Sequence, residues 1–271
     1  MRQLDREKIS LVCPQNDGES AAIIEIARRL SIDVRVSSQP WGATLDKEPP
    51  QTFWGLKLNL VIVEIPGPEK EDELRKEHGL FIIDHHKYPG LDRSNPRSSL
   101  EQFADIVDYK LSRREKGIAL NDRGYIFALR ENGFNMEEIR EIRKFDLMAQ
   151  GLSDDDFDSL AGDYYKGFQT DRLYVVHTGN PRNSYLSDLH FYENERRNEK
   201  LDLVVLLLGA GGKKVEKASF SGDPAMAKKL FENLGGFSGG DARVSMYWGK
   251  ETQGIVSPRQ MLDEIVRCLT N

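Results

Sequence analysis

The feature that most constrains the fold of this chain is a series of short, continuous apolar runs separated by helix-like stretches. In the first half, these runs are Ile9–Cys13, Val34–Ser37, Leu60–Ile65 and Leu80–Asp84. Runs of this kind predict strands buried on both faces, and therefore a parallel sheet covered by helices. The helices are predicted at Ala21–Leu30, Leu100–Leu111 and Met136–Met148.

The second half repeats this alternation. Strands are predicted at Leu173–His177, Leu201–Leu208, Val215–Phe220 and Arg243–Trp248. Helices are predicted at Leu186–Arg197, Pro224–Leu234 and Pro258–Leu269. Between the halves, Gly151–Gly167 is acidic and poor in aliphatic residues, which favours a linker. The sequence therefore predicts two α/β domains, at 1–150 and 171–271, joined by a linker over 151–170.

Composition limits the classes of function. The net charge of −6 argues against binding of extended duplex nucleic acid. No apolar run approaches the roughly 18 residues that a membrane span needs, so no membrane partner is expected. The N-terminus lacks the apolar core of a secretion signal, and the two cysteines, Cys13 and Cys268, lie far apart. Together these features predict a cytoplasmic protein.

Four groups of potential metal ligands lie near the ends of predicted elements, where open α/β sheets place their sites. They are Cys13-x-x-x-Asp17-x-Glu19, Glu64, Asp84-His85-His86 and Asn121-Asp122-Arg123-Gly124. The third group contains two of the chain's five histidines. It supplies oxygen and nitrogen ligands within one turn, and its carboxylate can orient a neighbouring imidazole. This group is the strongest indication of a metal site.

Each of the other groups also has a structural interpretation. Asp17 and Glu19 are suited to a turn and a helix start. Glu64 ends a buried run, where a carboxylate needs an ion pair, hydrogen bonds or a metal. Asp122, taken alone, is more typical of a helix cap than of a ligand. These alternatives stay open at the level of single motifs.

Taken together, the four groups resemble the DHH phosphoesterase superfamily, which includes RecJ-type exonucleases, oligoribonucleases, cyclic-dinucleotide phosphodiesterases and, more distantly, family II pyrophosphatases. The strongest match is Ile82-Ile83-Asp84-His85-His86, followed by the serine-rich segment Ser98-Ser99-Leu100-Glu101, which also forms a capping-box pattern. The second half resembles the companion DHHA1 domain. The resemblance implies a parallel-sheet DHH domain, a smaller α/β DHHA1-like domain, and a site in the cleft between them.

The resemblance also implies two divalent metal ions. One ion would be held by Cys13, Asp17 and Glu64. The other would be held by Glu19, Glu64, His85 and Asp122, with Glu64 bridging. Manganese is the implied metal, with zinc, cobalt and magnesium as alternatives. Three residues depart from the family pattern: Cys13 replaces histidine, and Glu19 and Glu64 each replace aspartate. The thiolate of Cys13 would favour softer ions such as zinc.

The implied catalytic residues are Asp84, His85, His86 and Asp122. On the substrate side, the glycine-rich segment 235–241 is predicted as a loop whose amides approach an anion. The resemblance implies substrate contacts from His86 and from the glycine-rich segment with Gly239, Gly240 and Asp241. Arg243 is predicted as the nearest replacement cation, and Arg123 is predicted as a further phosphate contact. Asp241 stands where the family has a histidine. The alternative for this segment is a flexible turn without a ligand.

The sequence thus predicts a phosphoesterase that hydrolyses phosphodiester or phosphoanhydride bonds of nucleotides or short oligonucleotides with a metal-activated water. The alternative is a catalytically degenerate relative that acts as a nucleotide-binding or regulatory module. Pyrophosphatase activity is a third hypothesis. The expected partner is a small phosphate-bearing substrate, and the oligomeric state is left open, with a homodimer as one alternative.

Overall fold

The computed structural model describes residues 3–270, and the chain divides after Gly151 into two compact units. Each unit has its own sheet and its own helices. Within the described range, no helix combines the length and the apolar character that crossing a bilayer requires.

The first unit is built on a four-stranded parallel sheet, which confirms the predicted fold class. Its strands are β1 (Ile9–Cys13), β2 (Asp33–Val36), β3 (Asn59–Val63) and β4 (Gly79–Ile83), in the order β2-β1-β3-β4. Every residue of β1 is buried, as are the last four of β3. A short antiparallel hairpin, β5 (Lys87–Tyr88) and β6 (Leu91–Asp92), follows the sheet.

Five α-helices complete the described part of the first unit. They are α1 (Gly18–Arg29), α2 (Pro68–Leu74), α3 (Ser99–Ile106), α4 (Arg113–Glu131) and α5 (Met136–Ala149). Short 3-10 turns occur at Arg6–Lys8, Leu45–Lys47 and Pro50–Phe53. The predicted capping box of Ser98 and Glu101 is confirmed in front of α3. That helix ends at Ile106 and does not reach the predicted Leu111.

Helix α4 begins well before Asn121, because Ser112 and Glu115 form a capping box in front of it. Asp122 therefore lies inside the helix and does not cap it. A kink follows directly, where Tyr125 takes a positive φ of 56°. The kink separates the turn that carries Asp122 from the rest of the helix.

The second unit is a mixed α/β layer structure. Its strands are β7 (Phe168–Thr170), β8 (Leu173–Thr178), β9 (Asp202–Leu208), β10 (Val215–Gly222), β11 (Phe237–Asp241) and β12 (Ser245–Glu251), in the order β11-β12-β10-β9-β8-β7. Its helices are α6 (Asp154–Tyr165), α7 (Tyr185–Arg197), α8 (Pro224–Leu234) and α9 (Pro258–Thr270). Strands β8 and β9 pair in parallel, and the other pairs are antiparallel. Phe220 and Trp248 are central to its apolar core.

The acidic segment that composition assigns to a linker instead forms helix α6. Ser153 caps its first turn. Three aspartates in that turn stabilise the helix, because their negative charges lie at the positive end of the helix dipole. Phe157, Leu160 and Tyr164 are buried along one side. An acidic run of this kind is therefore compatible with a packed helix, because its few apolar residues share one face.

The glycine-rich segment 235–241 is also corrected by the structure. Residues 237–241 are not a loop, because they form the edge strand β11, which pairs with β12. The ring of Tyr247 lies where a Cβ on Gly239 would point, and the ring of Phe237 lies where one on Gly249 would point. Cross-strand packing of aromatic rings therefore explains glycine at these two positions, whether or not an anion binds there.

Candidate metal centre

Acidic and imidazole side chains meet at the carboxyl edge of the parallel sheet. Glu64 directly follows β3, and His85 follows β4 after Asp84. Glu19 stands in the first turn of α1, which begins shortly after β1. Asp122 reaches the same edge from α4. Parallel strands bring these residues together because their carboxyl ends share one edge.

His85 is the centre of the group. Its Nε2 lies 2.8 Å from Asp122 Oδ2, 3.2 Å from Glu64 Oε1 and 3.5 Å from Glu19 Oε2. Among residues 3–270, two sets of three donor atoms are close enough together to hold a metal ion. One set comes from Glu19, His85 and Asp122, and the other comes from Glu64, His85 and His86.

The protonation of His85 reflects this crowding. Burial by itself lowers the pKa of the imidazole, but the carboxylates of Asp122, Glu19 and Glu64 outweigh it and raise that pKa to about 12. Without a cation, a proton on His85 therefore offsets part of the negative charge of the group. A divalent cation would take over this electrostatic role.

Glu19 is held in place by the start of helix α3. Its carboxylate oxygens accept hydrogen bonds from the backbone N–H groups of Ser99 at 3.2 Å and Leu100 at 2.9 Å. Burial raises the pKa of Glu19 to about 8, although its contact with His85 acts in the opposite direction. The helix start thus fixes a carboxylate beside His85 whose ionised form is costly unless a cation is near.

Glu64 has a strained backbone. Its φ of 51° lies in the left-handed region, which costs a residue with a Cβ about 1–3 kcal/mol. Its N–H donates to the carbonyl of Ile83 at 3.0 Å, so the turn is tied to the end of β4. The turn directs Glu64 Oε1 to within 3.2 Å of His85 Nε2 and 3.8 Å of His86 Nδ1. Strain of this kind at a polar cluster points to a functional site.

Asp84 orients His86. Its Oδ1 accepts from the backbone N–H of His86 at 3.0 Å and from the Tyr88 hydroxyl at 3.3 Å, and it lies 3.2 Å from His86 Nδ1. Burial would raise the pKa of Asp84, but the hydrogen bonds from His86 and Tyr88 hold it below its ordinary value. Asp84 also raises the pKa of His86, whose ring is about two-fifths exposed. A partly accessible imidazole whose protonated form is favoured by Asp84 therefore borders the group.

The donor atoms fit a divalent cation. Glu64 Oε1, His85 Nε2 and Asp122 Oδ2 are buried, and none of them has an aligned hydrogen-bond partner despite their short separations. A buried polar atom left without a partner costs about 1–3 kcal/mol, so three such atoms facing one another need an explanation. Carboxylate oxygens with an imidazole nitrogen form a donor set suited to manganese, zinc and related ions. Coordination would satisfy all three atoms.

Cys13 and Asp17 belong to neither of these two donor sets. The Cys13 thiol is fully buried and donates to the carbonyl of Ser20 at 3.8 Å. Asp17 Oδ1 accepts from the N–H and the hydroxyl of Ser20, both at 2.8 Å. Burial raises the pKa of Cys13 well above its usual value and that of Asp17 to about 6, and in both cases Glu64 adds to the shift. Their assignment as metal ligands stays a prediction.

The predicted substrate contacts have other partners in the structure. The Arg123 guanidinium donates to the carbonyl of Pro96 at 2.7 Å and lies 3.5 Å from Glu101. In the second unit, Arg243 and Asp241 form an exposed ion pair at 2.6 Å. That pairing lowers the pKa of Asp241 to about 2. The pair therefore carries no net charge at neutral pH.

Sequence reasoning missed Tyr88 and Arg93, which lie in and beside the β5–β6 hairpin. The Arg93 guanidinium bonds Glu71, and its Nη1 lies 3.7 Å from Asp84 Oδ2. The Pro89-Gly90 pair is a turn signal and predicts a hairpin here. No local pattern indicates which of its side chains point inward.

Comparison with known proteins gives only distant similarity. No family model matches the chain, and no curated protein matches it. One similar solved structure is that of an uncharacterised protein from Helicobacter pylori. The match covers 98% of this chain and 100% of that protein, with 10% sequence identity and a TM-score of 0.27. RecJ from Thermus thermophilus in complex with Mn²⁺ shows 12% identity and a TM-score of 0.43, and the matched region is 98% of this chain but 52% of RecJ.

A third similar structure is the pGpG-specific phosphodiesterase PggH from Vibrio cholerae. It shows 12% identity over 96% of this chain and 99% of that one, with a TM-score of 0.38. Similarity at this level does not define a function. The function proposed below depends on the residues of the site itself.

Proposed function

We propose that this chain is a metal-dependent phosphoesterase that hydrolyses phosphodiester or phosphoanhydride bonds of nucleotides or short oligonucleotides. The observation that carries the proposal is the convergence of Glu64 Oε1, His85 Nε2 and Asp122 Oδ2, which are buried and lack aligned hydrogen-bond partners. The resemblance of residues 82–86 to the DHH superfamily supports the reaction class.

The residues that would hold the cation are Glu19, Glu64, His85 and Asp122. The chemistry that a bound divalent cation supplies is Lewis-acid stabilisation of phosphoryl oxygens and activation of water. Manganese, the ion implied by the resemblance, is compatible with three carboxylates and one imidazole. Helix α3 contributes indirectly, because its first N–H groups hold the Glu19 carboxylate in position.

His86 is the side chain of this group best placed to contact a substrate phosphate. Asp84 holds its Nδ1 side, and the pairing raises the pKa of the ring. Its partial exposure leaves the ring accessible to solvent at the edge of the donor group. A protonated imidazole in this position would hydrogen-bond a phosphate oxygen and offset the charge that develops on it.

Arg123, Gly239, Gly240, Asp241 and Arg243 remain proposed substrate contacts. Arg123 belongs to the same helix as Asp122, whereas the other four belong to the β11–β12 region. Because Asp241 neutralises Arg243, we expect the glycine-rich strand to contribute backbone N–H groups and not a net positive charge. A small substrate with few phosphates agrees with the overall negative charge of the chain.

The test is hydrolysis of a generic aryl phosphodiester, and of a dinucleotide, by the purified chain with added Mn²⁺. Asp122→Asn and His85→Gln should abolish turnover while the far-ultraviolet circular dichroism stays unchanged. Asp263→Asn makes the same chemical change at an exposed position in α9 and should retain full activity. Absence of turnover with manganese, magnesium, zinc and cobalt alike would contradict the proposal. Phosphate release from pyrophosphate alone would point to a pyrophosphatase.

A second candidate is a nucleotide-binding or regulatory module without turnover. It is favoured by the placement of Cys13 and Asp17, whose polar atoms are engaged by Ser20. A reduced donor set would retain phosphate binding and lose part of the catalytic charge stabilisation. Tight nucleotide binding in the presence of Mn²⁺, without product formation over hours, distinguishes this candidate from the enzyme.

A further inference from the structure

We infer that this chain holds one divalent cation, centred on His85, and not the two that its resemblance to the DHH superfamily implies. The inference rests on the proposed metal centre and specifies its composition. Its basis is that the carboxylates of Glu19, Glu64 and Asp122 all approach one imidazole nitrogen. Asp17 and Cys13, which the resemblance assigns to the other ion, have hydrogen-bond partners in helix α1.

The first step concerns His85. Glu19, Glu64 and Asp122 approach the same atom, Nε2, at 3.5, 3.2 and 2.8 Å. An unprotonated imidazole nitrogen has one lone pair and serves one metal ion. The two overlapping donor sets share His85, so they describe one ion position with a choice of neighbouring ligands.

The second step concerns the composition of that position. Three carboxylates and one imidazole are a sufficient protein ligand set for a divalent cation, and water completes the coordination of most such ions. Glu64 Oε1 is one of the buried atoms without a partner, and it faces His85. Glu64 would therefore serve as a ligand of this ion through Oε1.

The third step concerns Cys13. Its sulfur is fully buried and donates a hydrogen bond to the carbonyl of Ser20, in the first turn of α1. The sulfur therefore lies against the backbone of α1, and Cys13 belongs to neither three-donor set in the described part of the chain. The local structure thus uses Cys13 as a packed side chain at the end of β1.

The fourth step concerns Asp17. Its Oδ1 accepts two hydrogen bonds from Ser20, and the Ser20 side chain in turn caps the Asp17 backbone. In the described part of the chain, the three-donor sets include neither Asp17 nor Cys13. Asp17 therefore starts helix α1, which is the structural role that its position also suits.

The test is metal stoichiometry in the intact chain. Protein incubated with excess Mn²⁺ and passed through a desalting column is analysed by inductively coupled plasma mass spectrometry and by electron paramagnetic resonance. We expect one manganese per chain, with the six-line spectrum of an isolated ion and no exchange coupling. Asp122→Asn should weaken manganese binding in calorimetric titration by tenfold or more.

Two variants address the other position. Cys13→Ser and Asp17→Asn should each keep one manganese per chain, because serine retains a donor for the Ser20 carbonyl and asparagine retains an acceptor for the helix cap. Circular dichroism confirms folding, and either variant suffices if the other does not fold. Two ions in the wild type, falling to one in either variant, would overturn the inference and leave the proposed function intact. Wild-type protein without bound ion would overturn the metal centre and the proposed function together.

Discussion

His85 Nε2 lies 2.8 Å from Asp122 Oδ2, which joins the end of strand β4 to a turn inside helix α4. The kink at Gly124 and Tyr125 follows Asp122 at once. Backbone distortion directly beside a buried carboxylate is typical of a functional site, where the placement of the carboxylate matters more than the stability of the helix. The same pairing explains the raised pKa of His85, because Asp122 is its nearest negative charge.

Replacing Glu64 separates backbone strain from metal binding. Glu64→Ala removes the carboxylate but keeps a Cβ at a φ of 51°, whereas Glu64→Gly removes both. In the presence of a chelator, we expect Glu64→Gly to be more stable than Glu64→Ala by about 1 kcal/mol, because only glycine adopts the left-handed region without steric cost. Urea denaturation measures this difference.

Both Glu64 variants should lose manganese affinity to a similar extent in calorimetric titration, since both lack the same ligand. A Glu64→Gly variant less stable than Glu64→Ala would show that the native φ is not a source of strain.

The metal-free protein should become less stable as the pH rises from about 4 to 8. The pKa of Asp17 is raised from 3.8 to about 6 and that of Glu19 from 4.5 to about 8, mainly by burial. Within these windows the folded chain binds more protons than the unfolded chain, so increasing pH favours unfolding. Urea midpoints between pH 4 and 8 in a chelating buffer measure the slope.

Glu19→Gln is the variant that isolates this effect. His177 and His190 have pKa values lowered by burial and act in the opposite direction near pH 6, but they are unchanged in the variant. Relative to wild type, Glu19→Gln should therefore lose less stability between pH 5 and 8. Equal pH slopes for the two proteins would contradict the assigned role of Glu19. Saturating Mn²⁺ should reverse the wild-type trend, because the cation binds the ionised carboxylate.

Much of the fold follows from the sequence, because apolar runs and capping residues act locally. Strand β1 and helix α8 match their predicted bounds, and the four strands of the first sheet lie within two residues of their predicted ends. Helix α6 and strand β11 differ for a physical reason. Composition alone conceals an apolar helix face among aspartates, and aromatic rings from a neighbouring strand stabilise glycines that otherwise suggest a loop.

The site is predictable only in part. Strand ends indicate which residues share the edge of the sheet, and the structure brings Glu19, Glu64, His85 and Asp122 together there. The spacing of residues in the sequence does not show whether the Cys13 sulfur contacts a metal ion or the backbone of α1. In the structure it contacts the carbonyl of Ser20. The strained φ of Glu64 likewise depends on the hydrogen bond from its N–H to the neighbouring strand.

Arg93 is expected to matter more for stability than its position on a short hairpin indicates. Its guanidinium lies between Glu71 and Asp84, and all three side chains are largely buried. Arg93→Met would leave the buried carboxylate of Glu71 without its counter-charge and would remove one of the two cationic partners of Asp84, which should cost about 3 kcal/mol. Arg75→Met, which removes an exposed partner of Asp72, should cost less than about 1 kcal/mol and serves as the matched control. Equal urea midpoints for the two variants would exclude a structural role for the Arg93 contacts.

The two cysteines should differ sharply in reactivity toward an aromatic disulfide reagent. Burial raises the pKa of both thiols, but Cys13 is fully buried and its pKa is raised well above the usual value, whereas Cys268 is only partly buried near the C-terminal end of α9. Because the thiolate is the nucleophile, we expect one fast-reacting thiol per folded chain, assigned to Cys268 by its loss in Cys268→Ser. The second thiol should react at the rate of unfolding and appear at once in 6 M guanidinium chloride (about the concentration at which even very stable domains unfold). Fast labelling of Cys13 in folded, metal-free protein, with protection by Mn²⁺, would instead identify its sulfur as a ligand.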